Sequence, residues 1–396
     1  MIVDTWHGDD RTVQEILNSA FPAYAAAHRL PIRVHKAVSV LRRCRTGGLG
    51  WHAVKCRNGH LVDVRLNSCR HRACLQCGWQ KTERWVARWQ ERLLPTTHFQ
   101  VIFTVASQLH ILWRWNRKRF ADACFQATRD TLFQLLGQAR HLRAHPGLVL
   151  ALHTWGSALA IHLHVHGLLT AGGVNADGKW VATRPQFLIW GPILRDQFRD
   201  HLLAALRDVL NQGLLDLPPT LTAADVHALL DQLEHTKWHV RIEPPYASGH
   251  GLVIYLARYL HGGPIKNHRL VAFTGTDVSF RYRQYRGHQR PKWESMTLPV
   301  DEFLDRLFQH VPVKGLHMVR AYGVYNRSEH AALERCRAQL QPHGLQPLPQ
   351  VPAPIEPERC PRCGAPLTVI VSRTPFPVRR PEKPTGPGPP VLGMPN

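Results

Sequence analysis

Ile161-His162-Leu163-His164-Val165-His166 decides how the rest of this chain is read. Apolar and imidazole side chains alternate through it, and on a β-strand alternate side chains share a face. Leu163 and Val165 then point into a core, while His162, His164 and His166 line the opposite side. Next-but-one residues stand roughly 6.6 Å apart along a strand, close enough for two imidazoles to converge on one metal ion.

Around this string the chain alternates strands and helices. Residues 148–155 read as a strand joined through Gly156-Ser157 to a second strand, 159–169, which Ala171-Gly172-Gly173 closes. Residues 98–105 and 238–242 are further strands, and 268–286 reads as a hairpin with Gly275 near its turn. Helical spacing runs through 11–45, 80–94, 107–143, 192–235, 250–261, 300–310 and 328–340. Metallo-β-lactamase-like hydrolases also open on alternating histidines, but they continue with an Asp–His pair, and Gly167 follows here.

Within 250–261, Tyr255 and Tyr259 are four residues apart and share a helix face. In isolation such a pair reads as aromatic core packing. Beside a histidine-held metal it reads as a pair of nucleophiles. A phenol facing a metal-bound phosphodiester can attack phosphorus, giving a phosphotyrosine ester and a free 3′-hydroxyl, although its solution pKa is ~10. The ester conserves the bond energy, so rejoining needs no ATP. Arg258 and Lys266 lie close by in sequence and are candidates to steer the DNA backbone.

Charge points the same way. The 50 Lys+Arg outweigh 28 Asp+Glu for a formal +22, an excess that serves a polyanionic partner. No charge-free apolar run reaches the ~18 residues of a transmembrane helix, and Asp4, Asp9 and Asp10 interrupt any export signal. A cytosolic, nucleoid-associated bacterial protein with no membrane partner is expected.

Nine cysteines in such a chain argue for metal rather than disulfides. Cys56-x3-His60 and Cys69-x4-Cys74-x2-Cys77 offer five candidates for the four positions of a structural Zn2+ site, in a segment too short to build its own core. Cys360-x2-Cys363 is half of another site. Arg70, Arg72, Lys81, Arg84 and Arg88, interleaved with Trp79, Trp85 and Trp89, suit single-stranded DNA, where guanidinium groups meet phosphates and indoles stack on bases. From Gln341 the chain turns Pro-rich, a tail expected to lack fixed structure apart from a candidate CxxC zinc knot.

Taken together, CRTGGLG (44–50), NSCRHRACLQC (67–77), LLPTTHFQVIFTV (93–105), LHTWGSALAIHLHVHGLLTAGG (152–173), YLARYLHGGPI (255–265) and VKGLHMVRAYG (313–323) resemble rolling-circle transposases of the insertion-sequence-91 type. These belong to the His-hydrophobic-His (HUH) endonuclease superfamily. The resemblance implies that His164 and His166 hold Mg2+ or Mn2+, with His162 preceding them at a position that is often histidine. It implies Tyr255 and Tyr259 as nucleophiles, and it puts Cys56, Cys69, Cys74 and Cys77 in the places of a zinc-binding domain. The chain departs from the family at Leu163, where proline is usual, at Cys56-Arg57-Asn58-Gly59-His60, which lacks the second cysteine of CxxCGH, and at CLQC, where CPxC is usual.

The expected fold is α+β, with a mainly antiparallel central sheet flanked by helices. Its expected parts are an N-terminal helical and zinc-binding domain over 1–92, an HUH-type catalytic domain over 93–340, and the tail 341–396. The expected activity is covalent cleavage and rejoining of single-stranded transposon ends and target. A rolling-circle replication initiator would share this chemistry, whereas a zinc-dependent DNA-binding protein or a decayed transposase would bind without cleaving. The oligomeric state is not legible.

Overall fold

The computed structural model describes residues 12–74, 76–184, 186–261, 263–284, 291–340 and 359–372, apart from the side chains of Gln80, Arg258 and His261. The Pro-rich segments 341–358 and 373–396 lie outside the described residues. The chain divides into two compact units, whose described residues are 43–69 with 359–372, and 12–42 with 70–340. These are not the divisions at 92/93 and 340/341 expected from sequence. The amphipathic helices Val13–Ala27 and Ile32–Leu41 bury their apolar faces in the larger unit, and the strand Leu367–Ser372 belongs to the smaller one.

The smaller unit is a three-stranded antiparallel sheet in the order Leu367–Ser372, Trp51–Cys56, Leu61–Leu66. Arg57-Asn58-Gly59 turns the hairpin, and Gly59 takes a φ of 83° that an L side chain rarely adopts.

The larger unit is built on a six-stranded sheet that is antiparallel throughout. Val319–Tyr322, His145–Trp155, Ile161–Val174, His98–Thr104 and His239–Ile242 lie in that order, and Trp180–Ala182 pairs with the end of Ile161–Val174. Alternation sorts its two faces. Phe99, Val101, Phe103, Leu148, Leu150, Leu152, Leu163 and Val165 pack on the helices Arg117–Gly137, Gly191–Asn211 and Ala223–Glu234. On the other face Val149, Ala151 and Leu168 meet Leu252, Val253 and Leu256 of the helix His250–His261 and Leu333, Cys336 and Leu340 of His330–Leu340. A separate three-stranded sheet, Leu270–Phe273, Asp277–Gln284 and Lys292–Pro299, packs with Val300–Phe308 against the two N-terminal helices. The architecture is therefore α+β, as the sequence implies.

The histidine strand runs further than the sequence indicates, to Val174 instead of 169. Gly172 and Gly173 do not stop it. A Cβ on Gly173 would lie 2.5 Å from the His145 carbonyl oxygen, and one on Gly172 would lie 2.6 Å from that of Val181, so both glycines permit close strand approach. The helical stretch 107–143 is broken at Asn116, whose side-chain amide donates to the carbonyls of Leu112 and Asp216.

Candidate active site and zinc-ligand clusters

His164 and His166 lie on the sheet face that meets the helix His250–His261, and a third imidazole joins them. His153 on the neighbouring strand is directly opposite His164 in the ladder. Side chains so paired on an antiparallel sheet have Cβ atoms ~5 Å apart. The ligand nitrogens of His153, His164 and His166 all lie within 4.8 Å of one another, and all three residues are buried. His162 is exposed at the start of the strand and is not part of this set, although its ring centroid lies 4.8 Å from that of His164.

The His164 tautomer suits metal binding. His164 Nδ1–H donates to the His162 carbonyl over 2.9 Å, which leaves the Nε2 lone pair for a ligand role. His166 Nδ1 sits 2.8 Å from the Gln100 amide, which in turn contacts the Tyr246 hydroxyl at 3.2 Å. Gln100 Nε2–H donates to that nitrogen and Gln100 Oε1 accepts from the Tyr246 hydroxyl, an arrangement that fixes the orientation of the His166 ring. Within the protein, His166 Nε2 and both ring nitrogens of His153 are buried with no hydrogen-bond partner. Such groups are costly unless something binds them. Burial, followed by the neighbouring imidazoles, pushes the pKa values of His153 and His166 well below the ordinary value, and burial brings His164 to about 4. All three are neutral at pH 7, as ligands must be.

Both tyrosines face this cluster. Leu252, Val253, Leu256 and Leu260 anchor the helix in the cores, and the adjoining stripe presents Tyr255 and Tyr259 to the histidines. Tyr259 stacks on His153 with ring centroids 3.6 Å apart and planes 4° apart, and its other neighbour Trp155 stacks at 4.5 Å. The Tyr259 hydroxyl donates to the Trp155 carbonyl. The Tyr255 ring is 5.5 Å from that of His166, and the residue is 46% exposed.

Of the candidate DNA contacts, Arg70, Lys81, Arg84 and Arg88 are exposed. The last three lie on the helix Trp79–Gln90, whose Trp85, Val86 and Trp89 pack into the same core as the tyrosine helix. Arg72 turns inward instead. Its Nε–H donates to the Leu260 carbonyl in the last turn of the tyrosine helix over 3.2 Å, satisfying an orphan acceptor, and burial lowers its pKa to about 10. Lys266 is half-buried, and the Arg258 side chain lies outside the described residues.

The cysteines form clusters as well. Cys56 and His60 come together with Cys360 and Cys363, all four ligand atoms within 4.8 Å of one another. In the same unit Cys69 N–H donates to Cys44 Sγ over 3.4 Å. Cys74 and Cys77, in the larger unit, are buried with sulfurs within 4.8 Å.

Two family models match the chain. One, described as "Transposase zinc-binding domain", covers residues 16–105. The other, described as "Putative transposase", covers residues 147–332. The chain is 32% identical over 351 residues to "Putative transposase y4qJ" of Sinorhizobium fredii (strain NBRC 101917 / NGR234), across 87% of this chain and 86% of that protein. It is 30% identical over 349 residues to "Transposase for insertion sequence element IS801" of Pseudomonas savastanoi pv. phaseolicola, across 83% and 82% of the two chains. No solved structure matches.

Proposed function

The chain belongs to the insertion-sequence-91-type transposases with a zinc-binding domain, enzymes that cleave DNA, and we propose that it does so by tyrosine strand transfer on single-stranded DNA. One observation carries this reading: three buried, neutral imidazoles converge on one point, and the rings of two tyrosines one helical turn apart lie against them.

The donor set fits a divalent ion. Three nitrogens without a carboxylate suit Mn2+ better than Mg2+, which prefers oxygen ligands and retains water. When bound by His153, His164 and His166, the ion would offset negative charge on the phosphate oxygens. His162 then stands outside the ligand set, and Gln100 and the His162 carbonyl act as positioning groups that hold the rings of His166 and His164 in orientation.

The remaining steps belong to the chain itself. A phenol oxygen of Tyr255 or Tyr259 attacks phosphorus and loses its proton. The bond from phosphorus to the 3′-oxygen breaks, and that oxygen leaves as a protonated 3′-hydroxyl. The strand stays attached through a 5′-phosphotyrosine ester. Attack on the ester by another 3′-hydroxyl reverses the sequence and restores the phenol, so no nucleotide cofactor is consumed. Two tyrosines permit a second transfer before the first is resolved, which suits rolling-circle transposition. Exposed Arg70, Lys81, Arg84 and Arg88 supply the cationic surface for the strand.

The test is direct. The purified protein is incubated with single-stranded oligonucleotides from the flanks of its coding region and Mn2+, then run on a denaturing gel. A detergent-resistant adduct that needs metal and is lost in Tyr255→Phe/Tyr259→Phe supports the reading. Tight DNA binding by the folded protein with no adduct from any flank refutes it.

A further inference from the structure

The residues 359–372 return to the sheet of Trp51–Cys56 and Leu61–Leu66 and finish it. Leu367 pairs with Cys56 and Ser372 with Trp51, so the returning strand occupies a full edge of the hairpin. Joining segments 307 residues apart forfeits chain entropy, and something must offset it. Apolar burial is a poor candidate. The cluster at this end comprises Cys56, Cys360 and Ala365 with Leu367 beside them, and Val369, Ile370 and Val371 of the strand are exposed. The hairpin 51–66 and the returning segment 359–372 are together shorter than the ~40 residues below which a metal or a cross-link is ordinarily needed to hold a fold.

The side chains at the closed end supply one. Two tight turns face each other. In the first, Gly59 N–H donates to the Cys56 carbonyl at 2.9 Å; in the second, Gly364 N–H donates to the Cys360 carbonyl at 2.8 Å. Each turn contributes two ligands, Cys56 with His60 and Cys360 with Cys363. Cys56 Sγ and Cys363 Sγ are 3.7 Å apart, and Cys360 Sγ and His60 Nδ1 are 3.7 Å apart. Zinc bonded tetrahedrally to sulfur at ~2.3 Å and nitrogen at ~2.1 Å gives edges of ~3.8 Å and ~3.6 Å. The sulfur pair is far too long for a disulfide, whose bond is ~2.05 Å. Asn58 Nδ2–H donates to Cys363 Sγ at 3.4 Å, the type of contact that steadies a metal-bound thiolate.

We propose that Cys56, His60, Cys360 and Cys363 form a Cys3His structural zinc site that clasps the C-terminal segment onto the N-terminal hairpin. Neither family model reaches Cys360 or Cys363, because the matches end at residues 105 and 332. The set is complete without Cys69, Cys74 or Cys77. The missing cysteine of the CRNGH stretch is thus made good by ligands from the far end of the chain.

The experiment uses the full-length chain and counts zinc per protein by mass spectrometry of the metal. Cys360→Ser/Cys363→Ser is expected to lose one zinc equivalent relative to the unaltered chain. Cys363→His, which keeps a zinc-competent donor, is expected to retain it. Hydrogen exchange should show the amides of Leu367–Ser372 losing protection in the double variant and keeping it in Cys363→His. An unchanged zinc count in a double variant, a Cys56–Cys363 disulfide found by intact mass without reductant, or a strand that stays protected without the metal would overturn the proposal. If Cys360→Ser/Cys363→Ser fails to fold, chelator titration of the unaltered chain, followed at the same amides, decides the point. These readouts do not involve strand transfer, so either proposal can fail alone.

Discussion

His153 and Tyr259 stack nearly parallel, their ring centroids 3.6 Å apart, so a member of the histidine cluster and a candidate nucleophile share one surface. The contact ties the sheet to the tyrosine helix at the place where the chemistry is expected. It also gives His153 a role that its lone position in the sequence does not announce.

His153→Ala should therefore behave as a ligand variant. Metal-dependent cleavage should fall by more than the ~10–100-fold typical of residues that only support a ligand. His162→Ala should fall within or below that range, since its ring lies outside the converging set. Adduct yield against Mn2+ concentration distinguishes them. Equal losses in the two variants would return His162 to the metal.

Gln100→Leu removes the group that fixes the His166 ring. The apparent Mn2+ affinity should weaken ~10–100-fold, with cleavage largely recovered at high metal. A variant with unaltered metal dependence would leave Gln100 a structural role alone.

Tyr325 joins two elements of the larger unit. Its hydroxyl donates to His98 Nε2 at 2.7 Å and accepts from Leu94 N–H at 3.1 Å, while His98 Nδ1–H donates to the Thr96 carbonyl at 2.8 Å. Tyr325→Phe leaves two buried groups without partners and should cost about 2–4 kcal/mol, read by urea denaturation. A loss under about 0.5 kcal/mol would mean the pocket rearranges to satisfy both.

Acid should weaken the same unit. Burial lowers the pKa values of His98 and His310 from 6.5 to about 4. Between those values the unfolded chain binds protons that the native chain does not, so stability falls as pH drops through the window and levels off below it. Each group contributes at most roughly 3 kcal/mol. His310→Gln, whose amide can still donate to the Leu159 carbonyl, should flatten the dependence of Tm on pH between 6.5 and 4. An unchanged slope would assign the acid sensitivity elsewhere.

The sequence made His164, His166, Tyr255 and Tyr259 legible because period-two and period-four spacing survive without tertiary information. His153 was not legible for a specific reason. Trp155 pairs with Ile161, and counting back in regular register would set His153 opposite Leu163, on the apolar face. The irregularity between His153 and Trp155 moves it opposite His164. Cys360 and Cys363 read as half a site because their partners lie about 300 residues away, a distance no spacing rule spans. Gly172-Gly173 read as a stop because glycine punctuates strands more often than it lets them touch.

The most direct measurement is the position of the covalent bond. Trypsin cuts after Arg258, so Tyr255 and Tyr259 fall in different peptides, and mass spectrometry of a nuclease-trimmed adduct reads each separately. A nucleotide phosphate is expected on the peptide bearing Tyr259, on that bearing Tyr255, or on both, with the mark dependent on Mn2+ and on His153, His164 and His166. A mark on another residue, or on these tyrosines irrespective of the three histidines, would contradict this expectation.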